Sequence, residues 1–135
     1  MSTKTETLEL EQDYAASPER LFEAWTRADL LARWLGCATD KLWNVHEWDV
    51  RVGGAIHVSL DFDGQPYEVR GEFLIVDPPG HLKYRWSNDE FVEVTITRRG
   101  SGSHLRLLHI FPHSADARAI RTMGWSHSLH LLQTI

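Results

Sequence analysis

The change in the spacing of apolar residues near Pro112 is the feature that most constrains this fold. Upstream of it, from Leu42 onward, apolar residues alternate with polar ones in short runs broken by turn residues, the pattern of half-buried β-strands. Downstream, residues 115–133 contain no proline and one glycine, which predicts one long helix. Many short strands followed by a single long helix favour an α+β domain with a mostly antiparallel sheet.

The segment before this sheet predicts one strand and two short helices. Residues 5–14 alternate between apolar and polar side chains, so we expect a strand there. Ser17 followed by Pro18 is typical of a helix N-cap and a first helical position. Asp29 is expected to cap a second short helix that ends at Gly36. The sequence therefore predicts six or seven strands, two early helices and one long C-terminal helix.

Composition narrows the class of protein. The chain has 135 residues, 42% of them hydrophobic, which suits one globular domain spanning residues 1–135. A net charge of -5 with scattered basic residues does not supply the basic face that nucleic acid requires. The single cysteine, Cys37, excludes an internal disulfide, fits a reducing compartment and carries no sign of activation. No run reaches the roughly 20 apolar residues of a membrane span, so we expect a cytoplasmic protein with neither nucleic acid nor membrane as partner.

Small residues mark the inward face of the C-terminal helix. At 100° per residue, Ala117, Gly124 and Ser128 fall along one line. Two explanations stay open: close packing of the helix on the sheet, or space for a ligand. Arg121 lies near this line. Because an unpaired buried guanidinium is costly, we expect it to reach the rim of the domain or to pair with a carboxylate or an anionic ligand group.

Catalytic and metal-binding motifs are not evident. The sequence has no nucleophile elbow, phosphate loop, dinucleotide fingerprint or paired-cysteine motif. His127 and His130, three apart on the predicted helix, could share a metal ion, but no third ligand is identifiable. Glu47 and Asp49 share one face of a predicted strand and could act as an acid–base pair, although we expect both to be solvated. We predict no catalytic residue, no metal and no cofactor.

Five segments, in order and with matching spacing, resemble one family. The segments are 16–26 (ASPERLFEAWT) with 31–34 (LARW), 49–54 (DVRVGG), 63–64 (DG), 71–82 (GEFLIVDPPGHL) and 124–132 (GWSHSLHLL). With these motifs the chain resembles the bacterial family similar to the C-terminal domain of the activator of the 90-kDa heat-shock protein ATPase, within the SRPBCC or START-like superfamily. This resemblance implies a helix-grip fold, in which a curved antiparallel sheet wraps round the C-terminal helix and leaves a cavity between them.

The predicted ligand site is a dry, aromatic-lined cavity between the sheet and the last helix. Six tryptophans are many for this length, and several are expected to line a core or a pocket. His109 continues the inward parity of Leu105 and Leu107, so it is either a core histidine bonded to a neighbour or a polar anchor for a ligand. The predicted ligand-binding residues are Trp34, Trp48, Phe73, Tyr84, Trp86, His109, Arg121, Gly124 and Ser128.

Two classes of function follow. The first, which we favour, is non-catalytic binding of a small hydrophobic molecule, with the family resemblance adding a stress-related or co-chaperone role and a chaperone partner. The second is an enzyme resembling polyketide cyclases or aromatases, in which Tyr84 and His109 would supply polar groups inside the cavity. The identity of the ligand and a homodimeric state are left open.

Overall fold

A curved seven-stranded antiparallel sheet and a long C-terminal helix form the protein in the computed structural model, which describes residues 4–36, 41–62 and 64–135. Cys37 lies outside these residues, and so does Asp63, which belongs to the predicted hairpin. None of the described helices is long and apolar enough to cross a membrane. The elements are β1 (Thr5–Tyr14), α1 (Pro18–Thr26), α2 (Ala28–Leu31), β2 (Asn44–Trp48), β3 (Ala55–Phe62), β4 (Gln65–Asp77), β5 (His81–Ser87), β6 (Glu90–Arg99), β7 (Gly102–Pro112) and α3 (Ala117–Leu132).

The strand order is β1-β7-β6-β5-β4-β3-β2, with every neighbouring pair antiparallel. Strands β2 to β7 follow each other as a meander, and β1 returns to pair with β7, where Leu8 lies opposite His109. This arrangement is the helix-grip fold of the α+β class, so the predicted fold class is confirmed. The long helix starts two residues later and ends one residue earlier than the predicted span 115–133.

The first two helices begin at different kinds of cap. Ser17 caps α1 as predicted, because its Oγ accepts a hydrogen bond from the Arg20 backbone N–H at 3.2 Å. The prediction that Asp29 caps α2 is wrong. Extended Arg27, which ends α1, also precedes α2, so α2 begins at Ala28 and lasts only four residues before turns lead to Gly36.

Strand β2 ends earlier than the span 45–52 that the sequence pattern predicts. It stops at Trp48, and the chain then turns through backbone hydrogen bonds from Arg51 to Asp49 and from Gly54 to Arg51. Gly53, at φ 83°, supplies the left-handed conformation that this turn needs. Asp49 therefore leaves the strand and pairs with Arg51 at 2.8 Å, so the predicted shared face of Glu47 and Asp49 is wrong.

Two of the hydrogen bonds that hold α3 against the rest of the chain join buried groups on its C-terminal half. The Tyr14 hydroxyl on β1 donates to the Leu129 carbonyl at 2.9 Å, and burial raises the pKa of this phenol. The Ser128 hydroxyl accepts from the Gly36 backbone N–H at 2.8 Å. Because both contacts join buried groups far apart in sequence, they fix the position of the helix over the inner face of the sheet.

Candidate functional site

Aromatic side chains from β2, β4 and β5 meet on the inner face of the sheet. The ring centroids of Trp48 and Phe73 lie 5.1 Å apart, those of Trp48 and Tyr84 lie 5.4 Å apart, and those of Phe73 and Tyr84 lie 5.7 Å apart. All three side chains are buried. These edge-on contacts are the geometry that aromatic pairs prefer, and they bring three of the predicted site residues together.

Trp25 of α1 lies between this face of the sheet and α3. Its ring centroid is 6.5 Å from that of Tyr84, 5.8 Å from that of Trp125 on α3 and 4.6 Å from that of Trp34. We call Trp25, Trp34, Tyr84 and Trp125 the aromatic centre. The sequence places Trp25 on the inward stripe of α1 but gives no signal that it reaches the middle of the predicted site.

Two buried polar atoms in the aromatic centre have no hydrogen-bond partner among the described residues: Trp25 Nε1 and the Tyr84 hydroxyl. Both side chains are fully buried, and burial raises the pKa of Tyr84. Their isolation contrasts with four other tryptophan N–H groups, which all donate to an acceptor. These bonds are Trp34 to Ala24 O (3.1 Å), Trp43 to Gly36 O (3.2 Å), Trp48 to Trp25 O (2.8 Å) and Trp125 to His109 Nδ1 (2.8 Å).

A chain of four polar side chains runs from the aromatic centre to the rim of the fold, and we call it the polar chain. Trp125 donates its indole N–H to His109 Nδ1, and His109 Nε2 lies 2.7 Å from Glu90 Oε2. Arg121 then donates to both Glu90 oxygens, from Nε at 3.2 Å and from Nη2. Exposure rises along this path, from 6% for the His109 side chain to 13% for Glu90 and 24% for Arg121.

The donors in the polar chain fix the tautomer of neutral His109. An indole N–H can only donate, so Nδ1 is the acceptor and the ring proton resides on Nε2, which donates to Glu90. Burial alone would raise the pKa of the Glu90 carboxyl, but hydrogen bonds from His109 and Arg121 outweigh it and lower the pKa below its ordinary value. Glu90 is therefore a carboxylate that accepts from both sides.

Replacing Glu90 by Gln should remove a pH-dependent contribution to the free energy of unfolding. A carboxyl whose pKa is lowered by folding stabilises the native state above its unfolded pKa of about 4.5, and this contribution disappears as pH falls through the folded pKa. We expect Glu90→Gln to be less stable than the parent protein at pH 7, and the difference to shrink below pH 4.5. Urea unfolding between pH 7 and pH 3 measures it. Glu93→Gln, on the outer side of the same strand, is the control, and a Glu90→Gln difference that stayed constant with pH would contradict the prediction.

The remaining predicted residues occupy different surroundings. Trp86 is half-buried beside Trp43, with ring centroids 5.2 Å apart. Gly124 is buried in α3. Ser128 is also buried, and because its hydroxyl bonds the backbone of Gly36, close packing rather than ligand space is favoured at this position. Arg121 reaches the rim and pairs with a carboxylate, one of the outcomes that its position predicts.

Glu90 and Trp125 are the polar-chain members that the sequence analysis missed. Glu90 has the same inward parity as Val92 and Val94, which are both buried, so the alternation contained a signal for it. It lies directly after a predicted turn, and a charged residue there is normally solvated. Helical periodicity places Trp125 beside the inward line of Gly124 and Ser128, but it gives no signal that the indole N–H reaches His109 on another element.

A metal site and a surface groove are the two other candidate sites. Within residues 4–36, 41–62 and 64–135, no group of three or more histidine, cysteine or acidic side chains is placed to hold a metal ion, with or without His127 and His130. An open groove of about 490 Å³ lies between α1 and the turn after β4, lined by Phe22, Val76 and Pro78 among others. Its rim carboxylates, Glu19 and Glu23, are engaged by arginines.

Solved structures share this fold over nearly the whole chain, and they define its class as the helix-grip α+β domain. A protein from Chromobacterium violaceum is 25% identical with a TM-score of 0.84, covering 95% of this chain and 94% of the other. One from Rhizobium leguminosarum is 20% identical with a TM-score of 0.79, covering 98% and 95%. An AHSA1-like protein from Aeromonas hydrophila is 20% identical with a TM-score of 0.75, covering 96% and 90%.

Sequence comparison then gives the family. Residues 15–135 match the profile of the Activator of Hsp90 ATPase homolog 1-like protein family, and the chain belongs to that family. The predicted resemblance and its place in the SRPBCC-like superfamily are thereby confirmed. A search of functionally curated proteins found no match.

Proposed function

We propose that this protein binds a small, mainly hydrophobic molecule between the sheet and α3, at the aromatic centre. The observation that carries the proposal is the pair of unpartnered polar atoms, Trp25 Nε1 and the Tyr84 hydroxyl, in an otherwise apolar interior. Leaving a buried polar group without a partner costs about 1–3 kcal/mol. A ligand with matching polar atoms would recover that free energy in addition to the burial of its own apolar surface.

The chemistry of the two atoms specifies part of the ligand. The indole N–H of Trp25 can only donate, so the ligand must present an acceptor to it. The Tyr84 hydroxyl both donates and accepts, so it tolerates either partner. A few polar groups in an aromatic lining are the usual means by which an apolar pocket orients its ligand. We therefore expect an aromatic-sized molecule with at least one oxygen or nitrogen acceptor. For such a molecule to enter, the rings of the aromatic centre must move apart.

A matched pair of probes tests this proposal. The protein should bind 1-naphthol more tightly than naphthalene, because only the naphthol oxygen can accept from Trp25 and pair with Tyr84. Trp25→Phe and Tyr84→Phe should each weaken 1-naphthol binding about tenfold, the equivalent of one hydrogen bond, and leave naphthalene binding unchanged. Titration of the intrinsic tryptophan fluorescence measures both affinities. Failure of 1-naphthol to bind, or equal losses for both probes in the variants, would refute the proposal.

Two tyrosine variants should respond in opposite directions without ligand. Tyr84→Phe removes a hydroxyl that has no partner, so the free energy of unfolding should stay level or rise by about 1 kcal/mol. Tyr14→Phe removes a hydroxyl that donates to Leu129 O, and we expect a fall of about 1 kcal/mol. Urea unfolding of both variants measures the contrast. A clear fall for Tyr84→Phe would mean that the hydroxyl is satisfied within the folded protein, against our expectation.

The polar chain supports binding rather than catalysis. A histidine acting as general base needs a free ring nitrogen directed at its substrate. His109 has its Nδ1 occupied by Trp125 and its Nε2 by Glu90. Because neither nitrogen is free to contact a ligand, we expect His109→Ala to affect binding only through the positions of Trp125 and Glu90. A cyclase-like activity would instead require this variant to bind substrate without turning it over.

A chaperone partner is a second candidate function, and the family match over residues 15–135 favours it. The name of that family refers to activation of the Hsp90 ATPase. Adding this protein to a purified bacterial Hsp90-type ATPase tests the candidate directly, with the rate of ATP hydrolysis as the measurement. An unchanged rate, together with no complex on a sizing column, would dismiss it and leave the ligand-binding proposal intact.

A further inference from the structure

We infer that Glu90 makes the proposed binding site selective for uncharged ligands. This inference rests on the proposed function and adds the charge class of the ligand, with Glu90 as the residue that determines it. Glu90 lies where the polar chain passes from the rim to the interior, in hydrogen-bond contact with both Arg121 and His109.

Glu90 occupies the bidentate Nε–Nη2 edge of Arg121. Nε and Nη2 of the guanidinium donate to the two Glu90 oxygens, and Nη1 donates to the Ala117 carbonyl at 3.2 Å. The planar group also lies over the Phe111 ring, 4.7 Å from its centroid. A guanidinium at the edge of a ligand site normally attracts a carboxylate or a phosphate in bidentate fashion. Here an internal carboxylate already fills that position, so an anionic ligand would have to displace it.

The rest of the described interior carries no fixed charge that could replace this pair. Apart from tyrosine and tryptophan, the buried polar side chains are Ser103, His109 and Ser128, and neutral His109 presents only an acceptor to Trp125. The polar chain as a whole is neutral, because one carboxylate balances one guanidinium. Moving an unpaired charge from water into such a site is strongly unfavourable, whereas an uncharged molecule of the same shape incurs no such penalty.

Removal of Glu90 should largely abolish this selectivity. Glu90→Gln leaves Arg121 without its carboxylate, so the site gains one net positive charge beside the aromatic centre. Two dyes of the same ring skeleton report the change: N-phenyl-1-naphthylamine, which is uncharged, and 1-anilinonaphthalene-8-sulfonate, which is an anion. We expect the parent protein to bind the uncharged dye at least tenfold more tightly than the anion. Glu90→Gln should raise the affinity for the anion about tenfold, a change that one partly screened charge interaction can produce. The affinity for the uncharged dye should hardly change.

Two further variants separate a local effect from a general one. The double variant Glu90→Gln with Arg121→Gln restores neutrality and should return the anion to its parental affinity. Glu93 lies on the outer face of the sheet, where it pairs with His81. Glu93→Gln changes the net charge of the protein by the same amount as Glu90→Gln and should leave the affinities for both dyes unchanged. Because the double variant has lost the same carboxylate, a loosened fold in Glu90→Gln would raise anion binding in both proteins.

The outcomes distinguish this inference from the function on which it rests. If neither dye binds the parent protein, the proposed function fails and the selectivity fails with it. If both dyes bind the parent equally well, or if Glu93→Gln matches the effect of Glu90→Gln, binding stands and the role of Glu90 is overturned. The inference holds if the affinity for the anion follows the charge of the Glu90–Arg121 pair while the affinity for the uncharged dye stays constant.

Discussion

Replacing Trp25 by Ala should lower the free energy of unfolding by about 4 kcal/mol, among the largest losses available from one side chain. The indole ring is fully buried and contacts Trp34, Trp125 and Tyr84 from three other parts of the chain. Its deletion therefore removes packing between α1, α3 and the sheet at once. Urea unfolding monitored by circular dichroism measures the loss.

The space left by this deletion provides a second measurement. An apolar cavity created by truncating a core side chain can bind a molecule that resembles the missing group. Indole added to Trp25→Ala should raise its melting temperature and leave the parent protein less affected. Trp86→Ala is the matched control. Because Trp86 is only half-buried, its replacement should lower the free energy of unfolding by less. A larger loss for Trp86→Ala than for Trp25→Ala would contradict the central position of Trp25.

Replacing Gly71 by Ala should be nearly as damaging, at about 3 kcal/mol or more, although it adds a single methyl group. A Cβ atom at this position would lie 1.8 Å from the carbonyl oxygen of Arg85. The neighbouring strand β5 has a register shift between Arg85 and Ser87, which accompanies this close approach. Because the obstacle is backbone in the middle of a sheet, it cannot move aside cheaply.

Gly100→Ala provides the comparison for this prediction. Gly100 has a φ of +60° and no atom within 4 Å of a Cβ, so alanine there suffers backbone strain without a clash. We expect a loss of about 1 kcal/mol, the usual cost of the left-handed conformation. Thermal unfolding of the two variants ranks them. Equal losses would show that strand β5 can shift away from residue 71.

Local periodicity was enough to predict the faces of the sheet and the α+β class. Alternation assigned His109 to the inner face, and Ser17 and Pro18 located the start of α1. These features depend on the period of a strand or on the first turn of a helix, which a few neighbouring residues fix. Such local rules predicted most of the elements and the inward set Trp48, Phe73 and Tyr84.

Which inward groups meet depends on long-range packing. Alternation states that His109 faces inward, but its partners Glu90 and Trp125 lie 19 and 16 residues away on other elements. Trp25 reaches the centre because the turn after α1 and the docking of α3 place it there, and neither event is encoded in its own neighbourhood. The length of β2 and the register shifts are also decided by long-range contacts, since they depend on the pairing of whole strands. Local sequence fixes the direction of a side chain, whereas its neighbours follow from long-range packing.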